Sequence, residues 1–314
     1  MPLTPADLAH FPDNAAEVVD DLVERKMLRA RPAGWFWAKD MPATDLADIR
    51  GTGGGQFRLV EASTGTLLGT VDEAGAHTGA HPGAVYTHQG TDFLVADLDL
   101  DERVAFIERA EVDYTTQPRS TTEISIVDTA SQRTLPSGVT VASGTVDVTD
   151  EVIAYRMRAK RGGAIIAEHD LDLPERTLRT SAVWWTIPQA LLEETEVLKA
   201  DLPGAVHAAE HASIGLLPLF AGCDRWDIGG VSTALHADTG MATVFVYDGL
   251  AGGAGFSERG SEVIEEWLGA TRDAIAACEC VDGCPSCVQS PKCGNGNEPL
   301  DKAAALRLLR GVLD

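Results

Sequence analysis

The chain has 314 residues, of which 44% are hydrophobic and 23% are charged, and its formal net charge is −23. This composition excludes a disordered chain, a collagen-like repeat and a small disulfide scaffold, and the length predicts two or three domains. The acidic field repels nucleic-acid phosphates, so any binding to nucleic acid needs local basic patches. No segment approaches the ~20 apolar residues of a membrane span, and residues 1–7 carry no signal-peptide pattern, which predicts a cytoplasmic protein without a membrane partner.

The first predicted elements are a helix and a β-hairpin. Residues 13–28 are amphipathic, and Asp13 is a suitable capping residue for a helix there. Residues 28–37 contain two short extended runs around a turn with Pro32 and Gly34. A helix followed by a hairpin is typical of the end of a winged helix, so residues 1–44 are predicted to form the C-terminal part of such a domain.

Short strands separated by glycine-rich turns are predicted from residue 49 to residue 114. The predicted strands are 56–60, 67–71, 84–88, 92–96 and 103–107. Strands at this spacing are typical of a small β-barrel, which we assign to residues 45–118.

The remaining sequence predicts an α+β domain over residues 119–314. Strands fill 121–187, and the alternation of residues 139–148 predicts an antiparallel sheet with one solvated face. From residue 188 the periodicity becomes helical. Helices are predicted at 188–199, 204–220, 255–277 and 299–313, with strands at 228–236 and 242–248. The predicted fold class is therefore α+β with several domains, and the last domain ends in a cysteine knuckle at 278–293.

Five of the six cysteines lie between residues 278 and 293, in the pattern C-x-C-x3-C-x2-C-x5-C. A tight cluster in a cytoplasmic chain favours a metal site over disulfides. Zinc prefers four thiolates in a tetrahedron, and a C-x2-C turn presents two of them on one side. The simplest ligand set is Cys278, Cys280, Cys284 and Cys287, with Cys293 as the alternative fourth ligand. A structural Zn²⁺ is expected; the alternatives are an iron–sulfur cluster and reduced cysteines without metal.

A second candidate metal site is the H-x-x-E-H pattern at residues 207–211. His207 and His211 share one face of a predicted helix, and Glu210 between them could act as a base, which is the inverzincin spacing. Zinc would need a third ligand downstream, for which the candidates are Cys223, Asp224, His236 and Asp238. The alternative is a pair of structural histidines, because the helix continues into an apolar run at 214–220.

Two short segments carry local positive charge. Residues 25–39 contain five basic residues and no acidic one. Arg29 and Arg31 are candidate DNA contacts there, with Trp35 and Trp37 beside them as stacking surfaces for bases. In the second segment, 156–161, the candidates are Arg158 and Arg161. Solvated faces of a strand or helix are the alternative for both segments.

A glycine-rich loop at 249–255 links a predicted strand to a predicted helix. Free amides at the start of a helix favour an anion, so Gly252 and Gly253 are candidate phosphate contacts of DNA. The alternative is close packing of the helix against the strand. The sequence contains no Walker lysine motif, so no ATPase activity is expected of this chain.

The cysteine tail resembles a known family. Cys278-x-Cys280-x3-Cys284-Pro285-x-Cys287, followed by 293–295 and 300–302, is similar to the extreme C-terminus of DEAD/DEAH-box superfamily 2 DNA helicases of the mitomycin-repair type, related to the fungal RecQ-like helicases. The resemblance extends to residues 81–90, 114–118, 227–233 and 248–256.

The resemblance implies a function in DNA repair. Members of this family are 3′-to-5′ ATP-driven DNA translocases, in which two RecA-like motor domains precede a winged helix, a barrel and a zinc domain. This chain does not contain the motor domains. It is therefore expected to be an accessory region that holds single-stranded or forked DNA and works with motor domains in cis or in trans. A zinc-dependent hydrolase at residues 207–211 and a protein-interaction scaffold are the alternatives.

Overall fold

The structure, a computed structural model, describes residues 2–11, 14–40 and 55–314. The chain divides into two compact units, residues 1–51 and 52–314. Within the described ranges, no helix is both long and apolar enough to cross a lipid bilayer.

The first unit contains a short helix followed by a β-hairpin, as predicted. Helix α1 (Ala15–Glu24) ends before Lys26, whose φ of 58° lies in the left-handed region. Strand β1 (Leu28–Arg31) pairs antiparallel with β2 (Gly34–Trp37). A side chain at Gly34 would meet the carbonyl oxygen of Leu3 at 2.3 Å, so the hairpin requires glycine there. Asp13 lies outside the described residues, and the winged helix stays a prediction.

Five short strands of the second unit form a half-barrel sheet where a small barrel was predicted. The strands are β3 (Phe57–Glu61), β4 (Thr66–Val71), β5 (Val85–His88), β6 (Thr91–Asp99) and β7 (Val104–Arg109). Their order is β4-β3-β7-β6-β5, and only β3 and β7 run parallel. The end strands do not pair with each other in the described ranges, so the sheet is open. Helix α2 (Glu73–Gly79) follows β4 and was not predicted.

A larger antiparallel sheet forms the centre of the second unit. Its strands are β8 (Tyr114–Thr134), β9 (Thr140–Ala159), β10 (Ile165–Asp170), β11 (Arg176–Ile187), β12 (Ile228–Thr233) and β13 (Ala242–Asp248). The order is β10-β9-β11-β13-β12, and β8 also pairs with β9. The antiparallel pairing is confirmed, but the expected solvated face over 139–148 is wrong. Neighbouring Val141 and Ala142 are both buried, because Val141 packs in the core with the helices and Ala142 packs on the other face in a cluster with Trp184 and Phe245.

Helices cover the other face of this sheet. They are α3 (Gln189–Glu194), α4 (Leu202–Leu216), α5 (Pro218–Ala221), α6 (Phe256–Glu262), α7 (Ile264–Ala277) and α8 (Lys302–Leu313). They lie where the periodicity predicted helices, with breaks at Pro218 and Val263. Helix α4 packs against α7, α8, β12 and β13, and is therefore buried on most sides.

The predicted domain boundaries at 44/45 and 118/119 stay a prediction. Residues 41–54, which contain the first boundary, lie outside the described residues. The second boundary falls inside β8, and the core of the half-barrel also includes Val152 of β9 and Leu173. Residues beyond the second boundary therefore complete the hydrophobic core of the half-barrel.

Candidate metal centre

Four thiol groups converge in the loop between α7 and α8. The distances between sulfur atoms are 3.6 Å for Cys278–Cys280, 3.5 Å for Cys278–Cys284, 3.5 Å for Cys280–Cys287 and 3.8 Å for Cys284–Cys287. A tetrahedral zinc ion with Zn–S bonds of about 2.3 Å holds its sulfurs about 3.8 Å apart. The four sulfurs therefore fit one tetrahedral zinc, and no coordination position is left open for a substrate.

The turn at residues 284–287 places two of these sulfurs. The amide of Cys287 donates to the carbonyl of Cys284 at 3.0 Å, and the amide of Cys284 donates to the Cys287 sulfur at 3.3 Å. Gly283 precedes the turn with a φ of 110°, and a side chain there would meet Val288 at 2.4 Å. Val288 is fully buried in the helical core. The turn is thus anchored to the core by the residue that follows it.

Lys302, the first residue of α8, lies against the cluster of four cysteine thiols. Its ammonium donates to the carbonyls of Cys278 and Cys280, both at 2.6 Å, and to the Cys280 sulfur at 3.3 Å. Burial lowers the pKa of Lys302, but its hydrogen bond to Cys280 and the thiol charges raise it by more, so the lysine stays charged. Burial opposes ionisation of Cys280, yet hydrogen bonds from the neighbouring thiols and Lys302 lower its pKa to about 6. A fixed cation therefore supports thiolate formation at this site.

Cys293, the alternative fourth ligand, does not belong to this group. Its sulfur lies 3.5 Å from Nε2 of His207, and the sulfur and the ring nitrogens of His207 and His211 lie within 4.8 Å of one another. The sequence placed both histidines on one helix face, and α4 confirms this. The third residue beside them is Cys293, whose position 82 residues beyond His211 gave no spacing signal.

The four downstream residues considered as a third ligand have other contacts. His236 bonds through Nε2 to the carbonyl of Ile124 at 3.0 Å, and Asp238 accepts a hydrogen bond from the amide of Ile126 at 2.8 Å. Asp224 caps the turn at 225–227, and Cys223 packs at the edge of the helical core. Among the described residues, Cys293 rather than any of these four contributes a ligating atom beside the two histidines, so their assignment as the third ligand is wrong.

Glu210, between the two histidines, is buried and faces strand β12. A side chain at Gly230 would meet its Oε1 atom at 2.8 Å, which shows how closely the carboxyl group approaches this strand. Burial raises the pKa of Glu210 to about 7, opposed by a hydrogen bond with Ser232. The carboxyl group thus lies against the sheet, where burial disfavours its charged form.

The hairpin of the first unit presents a basic face with an aromatic residue. Residues that pair directly across an antiparallel ladder lie on the same face. Arg29 pairs with Phe36, whereas Leu28 and Ala30 pair with the two tryptophans, Trp37 and Trp35. The exposed aromatic residue beside Arg29 and Arg31 is therefore Phe36, which is 37% exposed. The expectation that the tryptophans lie beside these arginines is wrong, because each is one position away on the opposite face.

The second basic segment is largely paired with acidic residues. Arg156 donates to Glu168 at 2.7 Å, and Lys160 forms an ion pair with Asp92. Arg158 contacts the carbonyl of Gly163 at 3.4 Å, and Arg161 is exposed in the turn that follows β9. The charge left for an external anion is thus smaller than the sequence predicted.

The glycine-rich loop at 249–255 already holds an anion, the carboxylate of Asp248. Both of its oxygens accept amide hydrogens, at 2.6 Å from Ala254, 3.2 Å from Phe256 and 2.8 Å from Ser257. The amides of Gly252 and Gly253 donate to the carbonyls of Arg179 and Leu250. The prediction that Gly252 and Gly253 offer free amides to a phosphate is therefore wrong. The loop packs the helix closely against the sheet.

Comparison with known proteins agrees with the cysteine geometry. Residues 209–288, which include the four converging cysteines, match the MrfA Zn-binding domain. This match and the tetrahedral spacing of the sulfurs support a structural zinc ion. The chain is 27% identical over 278 residues to the uncharacterized ATP-dependent helicase YprA of Bacillus subtilis, covering 87% of this chain and 36% of that protein. It is 26% identical over 283 residues to ATP-dependent helicase HRQ1 of Saccharomyces cerevisiae, covering 84% of this chain and 26% of that protein.

Two further comparisons concern a shorter relative and the fold. The chain is 41% identical over 113 residues to an uncharacterized protein of Methanocaldococcus jannaschii, covering 34% of this chain and 99% of that protein. A crystal structure of the DUF1998 helicase MrfA bound to DNA shares the fold, with a TM-score of 0.61 at 24% identity, over 94% of this chain and 39% of that one. The chain thus spans well under half the length of the helicases it matches. Residues 209–288 thus form a zinc-binding domain of the MrfA type, and most of the chain is similar to the C-terminal region of helicases such as YprA and HRQ1.

Proposed function

We propose that this chain is the accessory DNA-binding region of an ATP-dependent 3′-to-5′ DNA helicase that acts in DNA repair. It binds single-stranded or forked DNA while motor domains, in cis or in trans, supply the ATP-driven movement. Two relatives are ATP-dependent helicases, and a protein of the same fold was crystallised with DNA. The observation that carries the proposal is the exposed hairpin face of Arg29, Arg31 and Phe36 in a chain of this family.

The hairpin face offers two kinds of contact with single-stranded DNA. The two arginines neutralise phosphates, and Phe36 stacks on a base, a contact worth ~1–3 kcal/mol per base. Neither contact depends strongly on sequence, which suits a helicase that moves along DNA. Because the whole chain carries a charge of −23, binding is weak and confined to low salt when the chain acts alone. Arg158 and Arg161 are secondary candidates for phosphate contacts.

The zinc centre supports this function by ordering the chain. Residues 278–301 connect α7 to α8 without a helix or strand of their own. Ordering a residue costs about 1–2 kcal/mol, and metal binding to a site that the unfolded chain lacks supplies folding free energy. The four thiolates and Lys302 therefore hold the end of the second unit in one conformation.

Salt-dependent DNA binding tests the proposal. Fluorescence anisotropy with single-stranded and forked DNA, from about 20 to 200 mM salt, measures the affinity and its slope against salt. The matched variants are R29Q/R31Q on the hairpin face and R25Q/K26Q, which removes the same charge beside it. Each phosphate contact contributes about 0.7 to the slope for single strands, so R29Q/R31Q loses about 1.4 and R25Q/K26Q retains the wild-type slope.

Three outcomes contradict the proposal. Absence of salt-sensitive binding to either DNA near 20 mM salt excludes an accessory DNA-binding role and favours a protein-interaction scaffold. Equal slopes for the two double variants exclude the hairpin face as the contact. ATP hydrolysis by the chain alone contradicts its dependence on separate motor domains.

A further inference from the structure

A second set of metal-ligating atoms lies between α4 and the loop at residues 288–299. It consists of one ring nitrogen from each of His207 and His211 and the sulfur of Cys293, all within 4.8 Å of one another. The zinc-binding family match ends at residue 288, so it includes neither His207 nor Cys293. This three-residue group is separate from the four cysteines discussed above.

Both histidine rings are held in the form that binds a metal through Nε2. Nδ1 of His207 bonds to the carbonyl oxygen of Pro299 at 2.7 Å, and Nδ1 of His211 bonds to the carbonyl oxygen of Val288 at 2.9 Å. A carbonyl only accepts, so the hydrogen of each neutral ring lies on Nδ1 and the lone pair lies on Nε2. Metal-binding histidines nearly always donate their other N–H in this way, which fixes the tautomer and the ring orientation.

The distance between donor atoms fits a zinc ion. Zn–N bonds of about 2.05 Å and Zn–S bonds of about 2.3 Å at a tetrahedral angle separate the nitrogen and sulfur by about 3.6 Å. The observed distance from Cys293 Sγ to His207 Nε2 is 3.5 Å. Imidazole and thiolate together suit zinc among the common divalent ions.

The loop that carries Cys293 is held in place by its own hydrogen bonds. The main-chain amide of Asn297 donates to the Cys293 sulfur at 3.2 Å. The side chain of Asn297 makes two hydrogen bonds with the main chain of Ser290. Lys292 donates to the carbonyl of Ile228 at 2.7 Å, which fixes the loop to β12. The ligand atoms are therefore preorganised by contacts on both sides of the cysteine.

We propose that His207, His211 and Cys293 bind a second zinc ion. Three protein ligands leave one coordination position of a tetrahedral zinc available to water or to another oxygen ligand. All three residues line a cleft of about 640 Å³, which makes that position accessible from solvent. The second ion joins α4 to the loop that follows the four-cysteine centre, so the two zinc ions hold successive parts of the segment between α7 and α8.

Counting metal tests the proposal. The zinc-loaded full chain is desalted and its zinc content is measured by mass spectrometry of the metal. We expect two zinc ions for the wild type, one for His207→Asn and Cys293→Ser, one for Cys284→Ser, and two for the control Cys223→Ser. The proposal is overturned if the wild type binds one zinc ion and Cys293→Ser still binds it. It is also overturned if Cys293→Ser loses both zinc ions while circular dichroism shows that the variant is folded.

A measurement on the wild type avoids any dependence on the folding of the variants. Trypsin separates Cys293, in the peptide 293–302, from the other clustered cysteines, in the peptide 273–292. The native protein is alkylated with or without prior removal of metal by a chelator, then digested. Protection of Cys293 that is lost after chelation and restored by added zinc is expected. Equal alkylation of Cys293 before and after chelation shows that no metal is bound there.

Discussion

Lys302→Met replaces the cation beside the four thiols with an uncharged chain of similar length. Lys302 is 9% exposed and donates all three of its hydrogens to the main chain and the sulfur of the cysteine loop. Each hydrogen bond from a charged group to a carbonyl contributes about 1.5–3 kcal/mol, so loss of the two carbonyl contacts costs about 3–6 kcal/mol of unfolding free energy. Loss of the positive charge beside four thiolates also weakens zinc binding, by tenfold or more, which corresponds to about 1.4 kcal/mol.

Urea denaturation and competition with a coloured chelator measure these two quantities. Lys199→Met removes an exposed lysine and is the matched control; it leaves both quantities within error of the wild type. A double-mutant cycle with Cys284→Ser separates the lysine's effect through the metal from its effect on the apo-protein. Wild-type zinc affinity in Lys302→Met, with a reduced unfolding free energy, would refute the electrostatic part of this reasoning. Wild-type values for both would refute all of it.

Three other predictions concern the fold. Gly253→Ala lowers the unfolding free energy in urea denaturation by about 1–3 kcal/mol more than Gly65→Ala. Both residues have positive φ, but only a side chain at Gly253 would meet another residue, Ser181, at 2.4 Å. Equal losses for the two variants would mean that this close contact does not matter. Asp248→Asn removes the carboxylate that accepts three amides and costs about 2–4 kcal/mol by the same assay, whereas a neutral effect would show that the loop needs no anion. Burial lowers the pKa of His81, so the unfolded state binds more protons and stability decreases as the pH falls below the ordinary histidine pKa of about 6.5. His81→Leu therefore shows a smaller loss of stability between pH 7.5 and 5.5 than the wild type; an unchanged loss would assign the pH dependence to other groups.

The helical part of the fold follows from local sequence patterns. The apolar periodicity of residues 204–220 and 255–277 predicts α4 and the pair α6–α7, because packing against a sheet requires an apolar face on each helix. Helix α2 gave no such signal, since it is only seven residues long and Gly75 and Gly79 weaken its helix propensity. The capping residue Asp72 alone does not distinguish a helix from a turn. Strand order in the two sheets depends on pairings between distant segments and was not predictable from local pattern.

The four-cysteine centre was predictable because its spacing is local. Cys284 and Cys287 form one turn, and the other two cysteines lie within six residues of it. Cys293 is near these cysteines in sequence but near the histidines of α4 in space, which only the tertiary packing determines. Lys302 lies in the segment 300–302 that resembles the family, yet its contact with the thiols depends on where α8 begins.

The DNA-binding residues were predictable only in part. Composition located the basic segment 25–39, but the side of the hairpin that each residue occupies follows from the register. A shift of one residue exchanges the faces, so Phe36 rather than Trp35 lies beside the arginines. At the glycine-rich loop, the predicted phosphate contact is wrong, because the amides at the start of the helix already donate to Asp248, a residue of the chain itself.

Photocrosslinking tests most directly whether the hairpin face binds DNA. Single-stranded DNA that contains 5-iododeoxyuridine is irradiated with the zinc-loaded chain at low salt, and the crosslinked tryptic peptide is sequenced by mass spectrometry. Because trypsin does not cleave between Arg31 and Pro32, the hairpin gives the peptide 30–39. The predicted result is a crosslink at Phe36 that R29Q/R31Q abolishes and R25Q/K26Q retains. Crosslinks confined to Trp35, to Trp37 or to peptides outside residues 30–39 would contradict it.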